Sequence, residues 1–302
     1  TYSELGCKGE CGFCSQNIKN EDLRRPHNEL LSRVNWPIFN IEKFYLALKK
    51  EINKHIFKRV CVQVLNYEGF ESDTLDLVEN IYSIRPDLKI SIATPIISRK
   101  NMKMLNKKGL ERICFAFDTC SPSLMSRIKP HSKWESIEKA LQDALDIFGY
   151  GYVTTHYIVG LGENDKEMID RIYETVKMHI LPGIFRYFRI PGTPLDKMNY
   201  PEAEISKFRK IQLARYLIMI NPSNHTRFQF NRGILVKIRN FTAEELDGII
   251  DKQVAFKTAG CPHCNRPNYT SRPGKGHSGF PRNLTKNEKN MIFNELQSLI
   301  DT

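Results

Sequence analysis

The sequence predicts an α/β protein, a partial (β/α)6-type barrel carrying a cysteine-containing C-terminal extension. Three observations predict it. Helix-period and strand-like segments alternate from about residue 40 to Asn240. The strand-like segments are near-continuous apolar runs, as parallel strands covered on both faces require. After Asn240 the alternation stops, and residues 261–282 turn rich in Pro, Gly, Arg and Cys, which reads as an ordered loop. Residues 1–240 therefore read as the barrel and 241–302 as the extension.

The elements follow in order. Ile41, Phe44, Tyr45, Leu48 and Ile52 form one apolar helix face. Residues 59–65 are β-rich, 74–83 helical, 88–93 a strand, 102–108 helical and 112–117 a strand. Helix 134–148, strand 152–159, helix 166–179 and strand 185–190 continue the alternation. Helix 205–220 and strand 226–230 close it, giving about six strands, too few for an eightfold barrel. In the extension, Thr242 with Glu245 three residues later reads as a helix cap. A last helix over 286–300 aligns Ile292, Leu296 and Ile300.

At 302 residues and 41% hydrophobic, the chain can bury one large core, or one barrel with a small appendage. No run of about 18 apolar residues spans a membrane. No charged start precedes an apolar stretch, so a cytoplasmic protein is expected. The chain opens at Thr1 without Met, and residues upstream are expected. A net charge of +11 fits a solvated surface, an acidic protein partner or nucleic acid. Charge alone does not choose among them.

Cysteine usage is more specific. The 8 cysteines form two tight clusters and three singles, which in a cytoplasmic chain points to metal rather than disulfides. Cys7, Cys11 and Cys14 stand at C-x3-C-x2-C. Three such thiolates can ligate three irons of a [4Fe–4S] cube and leave the fourth iron open. The competing reading is zinc, but structural zinc wants four ligands.

This spacing, with aromatic Phe13 just before the third cysteine, resembles the signature of the radical S-adenosylmethionine superfamily. The resemblance implies that S-adenosylmethionine chelates the open iron and yields a 5′-deoxyadenosyl radical that abstracts hydrogen. Four segments narrow it to the biotin synthase-like branch: Gly12 to Gln16, Asp118-Thr-Cys-Ser-Pro122, Ile158-Val-Gly-Leu-Gly-Glu163 and Ile190-Pro-Gly-Thr-Pro-Leu195. Carried over by position, Phe13 lies near the adenine, Asp118 holds the ribose hydroxyls and Ile158 packs on the adenine. Gly160 and Gly162 let the backbone approach the cofactor. Asp118 also reads as a helix N-cap, and the two uses are compatible.

The match to biotin synthase itself breaks. Of the barrel cysteines that hold its second cluster, Cys61 alone has a counterpart, the other positions falling near Ile92 and at Thr154. The extension offers Cys261-Pro-His-Cys264 instead. It reads as part of a second iron–sulfur cluster, as a zinc knuckle with His263 or His277, or as two inert thiols. Cys61 and Cys120 are the candidates to complete a second cluster, while Cys114 on an apolar strand reads as core.

Cys264-Asn-Arg-Pro, followed by a Tyr and an Arg-Pro, is similar to the C-terminal signature of archaeal-type two-subunit lipoyl synthases. That resemblance implies sulfur insertion into an octanoyl chain on a lysine of an acidic carrier protein. It also implies a sister subunit, a second [4Fe–4S] cluster as sulfur donor, and a reducing partner such as ferredoxin. Two other readings stay open: rearrangement or maturation chemistry of the methylornithine synthase kind, and a nucleic-acid-binding iron–sulfur or zinc protein. Against the last, no basic element carries interleaved aromatics.

The remaining features divide between docking and structure. Lys19, Arg24, Arg25, His27 and Arg33 form a docking patch or a solvated helix, and Arg266 and Arg272 orient a cluster or form ion pairs. Lys107 and Lys108 mark an exposed helix end, and Trp36 and Trp134 read as packing residues. No catalytic acid or base is assigned.

Overall fold

A computed structural model of the chain describes residues 6–17, 19, 30–31, 34–35, 38–51, 58–258, 260–262, 264 and 277–301. Arg24, Arg25, His27, Arg33, Trp36, Ile52, His263, Arg266 and Arg272 lie outside these described residues. A short antiparallel pair, β1 (Leu30–Leu31) and β2 (Val34–Asn35), precedes α1 (Ile41–Lys50). Asn40 starts α1 by accepting the N–H groups of Glu42 and Lys43, which carry no intrahelical bond. The apolar face expected on this helix closes only at Leu48, since Ile41 remains 45% exposed.

Five strands then form one sheet in sequential order: β3 (Arg59–Gln63), β4 (Lys89–Ala93), β5 (Leu110–Cys114), β6 (Val153–Val159) and β7 (Leu181–Arg186). Their connections are α2 (Phe70–Ile84), α3 (Arg99–Lys107), the pair α4 (Pro122–Ile128) and α5 (Trp134–Phe148), and α6 (Asp165–Lys177). This is the topology of a partial (β/α) barrel, as the sequence predicts, with five parallel strands. After β7 come α7 (Pro194–Lys197), α8 (Ile205–Ile220), the hairpin β8 (Phe228–Asn231) and β9 (Ile234–Ile238), then α9 (Ala243–Lys252) and α10 (Lys286–Leu296).

The chain divides into two compact units. The first comprises Thr1–Phe117, Met125–His156 and Arg189–Tyr200, and the second Asp118–Leu124, Tyr157–Phe188 and Pro201–Thr302.

In the first unit, register aligns Gln63, Ala93, Cys114 and Thr154 across four strands, and Cys61 with Ser91 and Arg112 one step earlier. Successive side chains alternate faces, so these residues share one face. Cys61 and Gln63 on it are exposed, and the Gln63 amide donates to Cys61 Sγ at 3.1 Å. On the other face Val62, Ile90, Ile92 and Ile113 are buried. Trp134 is buried and stacks on Phe117 with ring centroids 4.2 Å apart, the packing role expected of it.

In the second unit, α8 is the central helix. It buries Phe208, Ile211, Leu213, Ala214 and Leu217, which is why its sequence lacks a polar stripe. Thr242 accepts the Glu245 N–H at the start of α9, the expected cap.

Four expectations are corrected. The segment 226–230 adds no sixth strand to the sheet: Phe228–Asn231 pairs antiparallel with Ile234–Ile238, because Asn231-Arg-Gly233 turns the chain back. The strand placed at 185–190 begins earlier, at Leu181. Pro182-Gly183 carries a local turn preference, but β7 ends the strand order, and edge strands tolerate proline. The last helix loses its α form after Leu296 and continues as a 3-10 turn over Gln297–Leu299. Ser121, not Asp118, caps α4, accepting the Leu124 N–H at 3.4 Å.

Candidate active site

The cysteine loop belongs to the first unit. Backbone bonds hold it from several sides: Lys8 N–H donates to Asn66 O, Gly12 N–H to Ile128 O, and Leu195 N–H to Gly12 O. Within the loop, Cys14 N–H donates to Cys11 O, and the buried Asn17 amide donates to the same carbonyl at 2.9 Å. Gly12 sits at a close approach. A Cβ there would stand 3.2 Å from Leu195 Cγ, so the Gly-Thr-Pro-Leu segment packs beneath the loop.

Cys7, Cys11 and Cys14 form no disulfide and are partly exposed. Gly9 N–H points at Cys7 Sγ (3.3 Å) and Gln16 N–H at Cys14 Sγ (3.4 Å). Both dipoles suit a sulfur carrying negative charge. A Cβ on Gly9 would lie 3.2 Å from Cys7 Sγ, so the glycine leaves room against the thiol. Among the described residues no three His, Cys, Asp or Glu side chains are placed to hold a single metal ion. Mononuclear zinc needs four ligands at about 2.0–2.3 Å. Three thiols, two of them facing backbone N–H groups, fit a cluster that spreads its ligands over three irons.

A fourth group stands beside the loop. The His131 Nδ1 accepts the Glu10 N–H at 3.0 Å, and its Nε2 lies 3.8 Å from Cys11 Sγ. No spacing marked this residue, which is 120 positions from Cys11.

Asp118, Ile158, Gly160 and Gly162 belong to the second unit. Asp118 adopts φ +64°, a left-handed conformation that Asp tolerates at local cost. Its carbonyl accepts the Ile158 N–H at 2.8 Å and it bridges to Tyr157 in parallel fashion, continuing the β5–β6 pairing. The buried Glu163 carboxylate accepts the N–H groups of Gly160 (2.7 Å) and Leu161 (2.9 Å) and pairs with Lys207 at 3.0 Å. Lys207 also donates to the Glu163 carbonyl. This carboxylate shapes the Gly-Leu-Gly-Glu turn. What closely approaches Gly160 in the structure is Ala203, whose Cβ a side chain there would meet at 2.4 Å. Gly162 is exposed at φ +110°. Phe13 is half-buried in the first unit.

The second cysteine pair sits on a turn in which Cys264 N–H donates to Cys261 O at 2.9 Å, and both thiols are partly exposed. The base of its loop is closed: Thr258 N–H donates to Phe280 O, and Phe280 N–H to Phe256 O. Arg209 fastens the returning strand. It is buried, donates to the carbonyls of His277 and Ser278, pairs with Glu295 and lies over the rings of Phe256 and Phe280. Burial pushes its guanidinium down to about 10, still charged at neutral pH.

The single cysteines differ. Cys61 is exposed, while Cys114 is buried as expected, 3.6 Å from His156 Nδ1. Cys120 is buried, and desolvation pushes its thiol up to about 12, with Glu163 and Glu167 adding to the effect. Cys120 is thus a neutral, inaccessible thiol here, whereas Cys61 is exposed.

A family model described as the radical SAM superfamily matches residues 5–175, more than half of the chain. Comparison with curated proteins gave no match. Solved structures that share the fold include the following three. Methylornithine synthase (PylB) aligns with 99% of this chain and 80% of its own at TM-score 0.56 and 16% identity. The [FeFe]-hydrogenase maturase HydG aligns with 72% of this chain and 48% of its own, at TM-score 0.52 and 15% identity. HydG from Carboxydothermus hydrogenoformans aligns with 82% of this chain and 64% of its own, at TM-score 0.51 and 19% identity.

Proposed function

The chain belongs to the radical S-adenosylmethionine superfamily, and from that premise we propose that it inserts sulfur into the octanoyl chain of an octanoyl-lysyl carrier protein. Membership implies a [4Fe–4S] cluster and S-adenosylmethionine. When bound, these supply hydrogen-atom abstraction from carbon that no base can deprotonate. In this reading Cys7, Cys11 and Cys14 hold the cluster. Phe13, Asp118, Ile158, Gly160 and Gly162 hold the adenosyl moiety, with Glu163 shaping the turn beneath.

The observation that carries the sulfur-inserting reading is the Cys261–Cys264 turn. Two accessible thiols on a loop with a fastened base supply half of a ligand set. The positions that hold biotin synthase's second cluster fall near the buried Ile92 and at Thr154, neither of them a thiol. The accessible Cys61 is the proposed further ligand, and the second cluster is the proposed sulfur source. The net charge of +11 suits an acidic carrier. A sister subunit and a ferredoxin-like reductant complete the proposal. No helix among the described residues is long and apolar enough to cross a membrane.

A second reading, rearrangement chemistry of the methylornithine synthase kind, is favoured by one observation: the fold of that enzyme spans 99% of this chain. It needs no sulfur donor at Cys261 and Cys264. One experiment separates the two. The protein is reconstituted anaerobically with iron and sulfide, then given dithionite, S-adenosylmethionine and an octanoyl-lysine peptide, with mass spectrometry as readout. A peptide gaining sulfur alongside 5′-deoxyadenosine, and no sulfur product from C261A, is the expected result. 5′-Deoxyadenosine with an unchanged peptide, also in the presence of the sister subunit, overturns sulfur insertion and leaves family membership standing.

A further inference from the structure

His131 stands where it touches two parts of the cysteine loop at once. It follows α4 and the buried Lys129 just past that helix, which donates its Nζ to Ala116 O at 2.8 Å beyond the end of β5. Ser132 N–H closes the turn onto Lys129 O. The imidazole is therefore carried by a short, tethered turn. Its ring also packs over Gly9, where a Cβ would stand 3.3 Å from Nε2.

The hydrogen-bond pattern settles which nitrogen carries the proton. Glu10 N–H is a backbone donor with no other state, so Nδ1, which receives it, is the acceptor nitrogen. A neutral imidazole then bears its proton on Nε2, and that N–H faces Cys11 Sγ at 3.8 Å. At Cys7 and Cys14 the donors are backbone N–H groups. At Cys11 the donor is a side chain, which a substitution can remove.

We propose that His131 is a positioning residue that sets the reduction potential of the cluster by donating Nε2–H to the Cys11 thiolate. The inference rests on the cluster implied by the family and not on the substrate. A reduced cluster carries one more negative charge, spread over its sulfur ligands. A dipole aimed at one of them favours the reduced form, and hydrogen bonds to the sulfurs are a recognised lever on cluster potential. The same ring holds the loop through Glu10, so it fixes the sulfur and biases its charge together.

The test uses the full chain, reconstituted anaerobically and titrated without S-adenosylmethionine. Iron content and visible absorption report loading, and electron paramagnetic resonance at set poises reports the midpoint. H131A is expected to load iron normally yet to show a reduced-to-oxidised ratio about tenfold lower at a fixed poise, a shift of about 59 mV to more negative potential. H131Q can accept from Glu10 and donate to Cys11 through one amide, and is expected to stay near wild type. An unchanged midpoint in a fully loaded H131A, or an equal drop in H131Q, overturns the proposal. Should H131A fail to load, wild-type protein with ¹⁵N-histidine decides by pulsed resonance of the reduced cluster. A weak ¹⁵N coupling that disappears in H131Q, whose amide is unlabelled, supports it, and absence of that coupling in wild type overturns it. Loss of loading in wild type itself would instead strike the family-implied cluster.

Discussion

The two cysteine loops solve the problem of holding metal differently. The first, around Cys7, Cys11 and Cys14, carries its three thiols within eight residues and is fastened along its length by Asn66, Ile128, His131 and Leu195. The second, around Cys261 and Cys264, has two thiols and is fastened at its base, by Phe256, Thr258, Phe280 and the buried Arg209. A loop that brings three ligands needs its neighbours for shape and for tuning, not for further thiols. A loop that brings two needs them for chemistry as well, and its ligand set depends on residues elsewhere.

The largest test of that contrast is loss of one thiol from each loop. C11A is expected to lose cluster loading and reduce S-adenosylmethionine cleavage to background, read by iron content and 5′-deoxyadenosine. C261A is expected to keep that cleavage and to lose the sulfur product alone. Equal loss of cleavage in both variants would erase the distinction between the loops.

Next in size is the anchor of the second loop. R209M leaves Glu295 and two carbonyls without their buried cation, and breaking a buried pair costs about 3–5 kcal/mol. A lower urea midpoint with the first cluster loading normally is expected. A midpoint equal to wild type would show that the stem carries the loop without Arg209.

The strand-end group offers a smaller test, independent of both loops. E163Q removes the charge that receives Gly160 and Leu161 N–H groups and pairs with Lys207. A hydrogen bond to a charged group contributes about 1.5–3 kcal/mol, so S-adenosylmethionine affinity should fall about tenfold or more. Equilibrium dialysis on reconstituted protein checks this, and unchanged affinity would detach the turn from cofactor binding.

The smallest effect concerns which thiol completes the second set. In apo-protein, iodoacetamide should modify exposed Cys61 well before Cys120, followed by peptide mass mapping. The Cys120 thiol, raised from 9.0 to about 12 by burial, keeps its proton in the folded state while the unfolded chain loses it. Its contribution to stability is therefore fully present below about pH 9 and is lost progressively between about 9 and 12. C120S should flatten that alkaline decline in urea unfolding, and modification of Cys120 as fast as Cys61 would contradict its burial.

Much of this was legible in the residues. The periodic segments locate four of the five strands of the sheet, β3 to β6, because strands and helices differ in the period of their apolar positions. The strand at β7 was misplaced because Pro182-Gly183 carries a local turn preference that an edge position overrides. Segment 226–230 carries the pattern of a sheet strand, since a local pattern cannot tell a hairpin strand from a parallel neighbour. Short helices such as Pro194–Lys197 were missed, one turn being too brief for a periodic signal. Asp118 and the Gly-Leu-Gly-Glu turn were legible as motifs, whereas the reason for the turn, the Glu163–Lys207 pair, was not.

The sequence by itself determined what close spacing determines. Three thiols within eight residues and alternating apolar segments act over a few bonds, so a local pattern records them. Only the tertiary structure decided which distant residues meet. Folding brings His131 to Cys11 and Leu195 beneath Gly12, closes Phe256 on Phe280, and buries Cys120 while leaving Cys61 open. Those outcomes depend on how the covering helices are packed, and packing is a property of the whole core rather than of any segment.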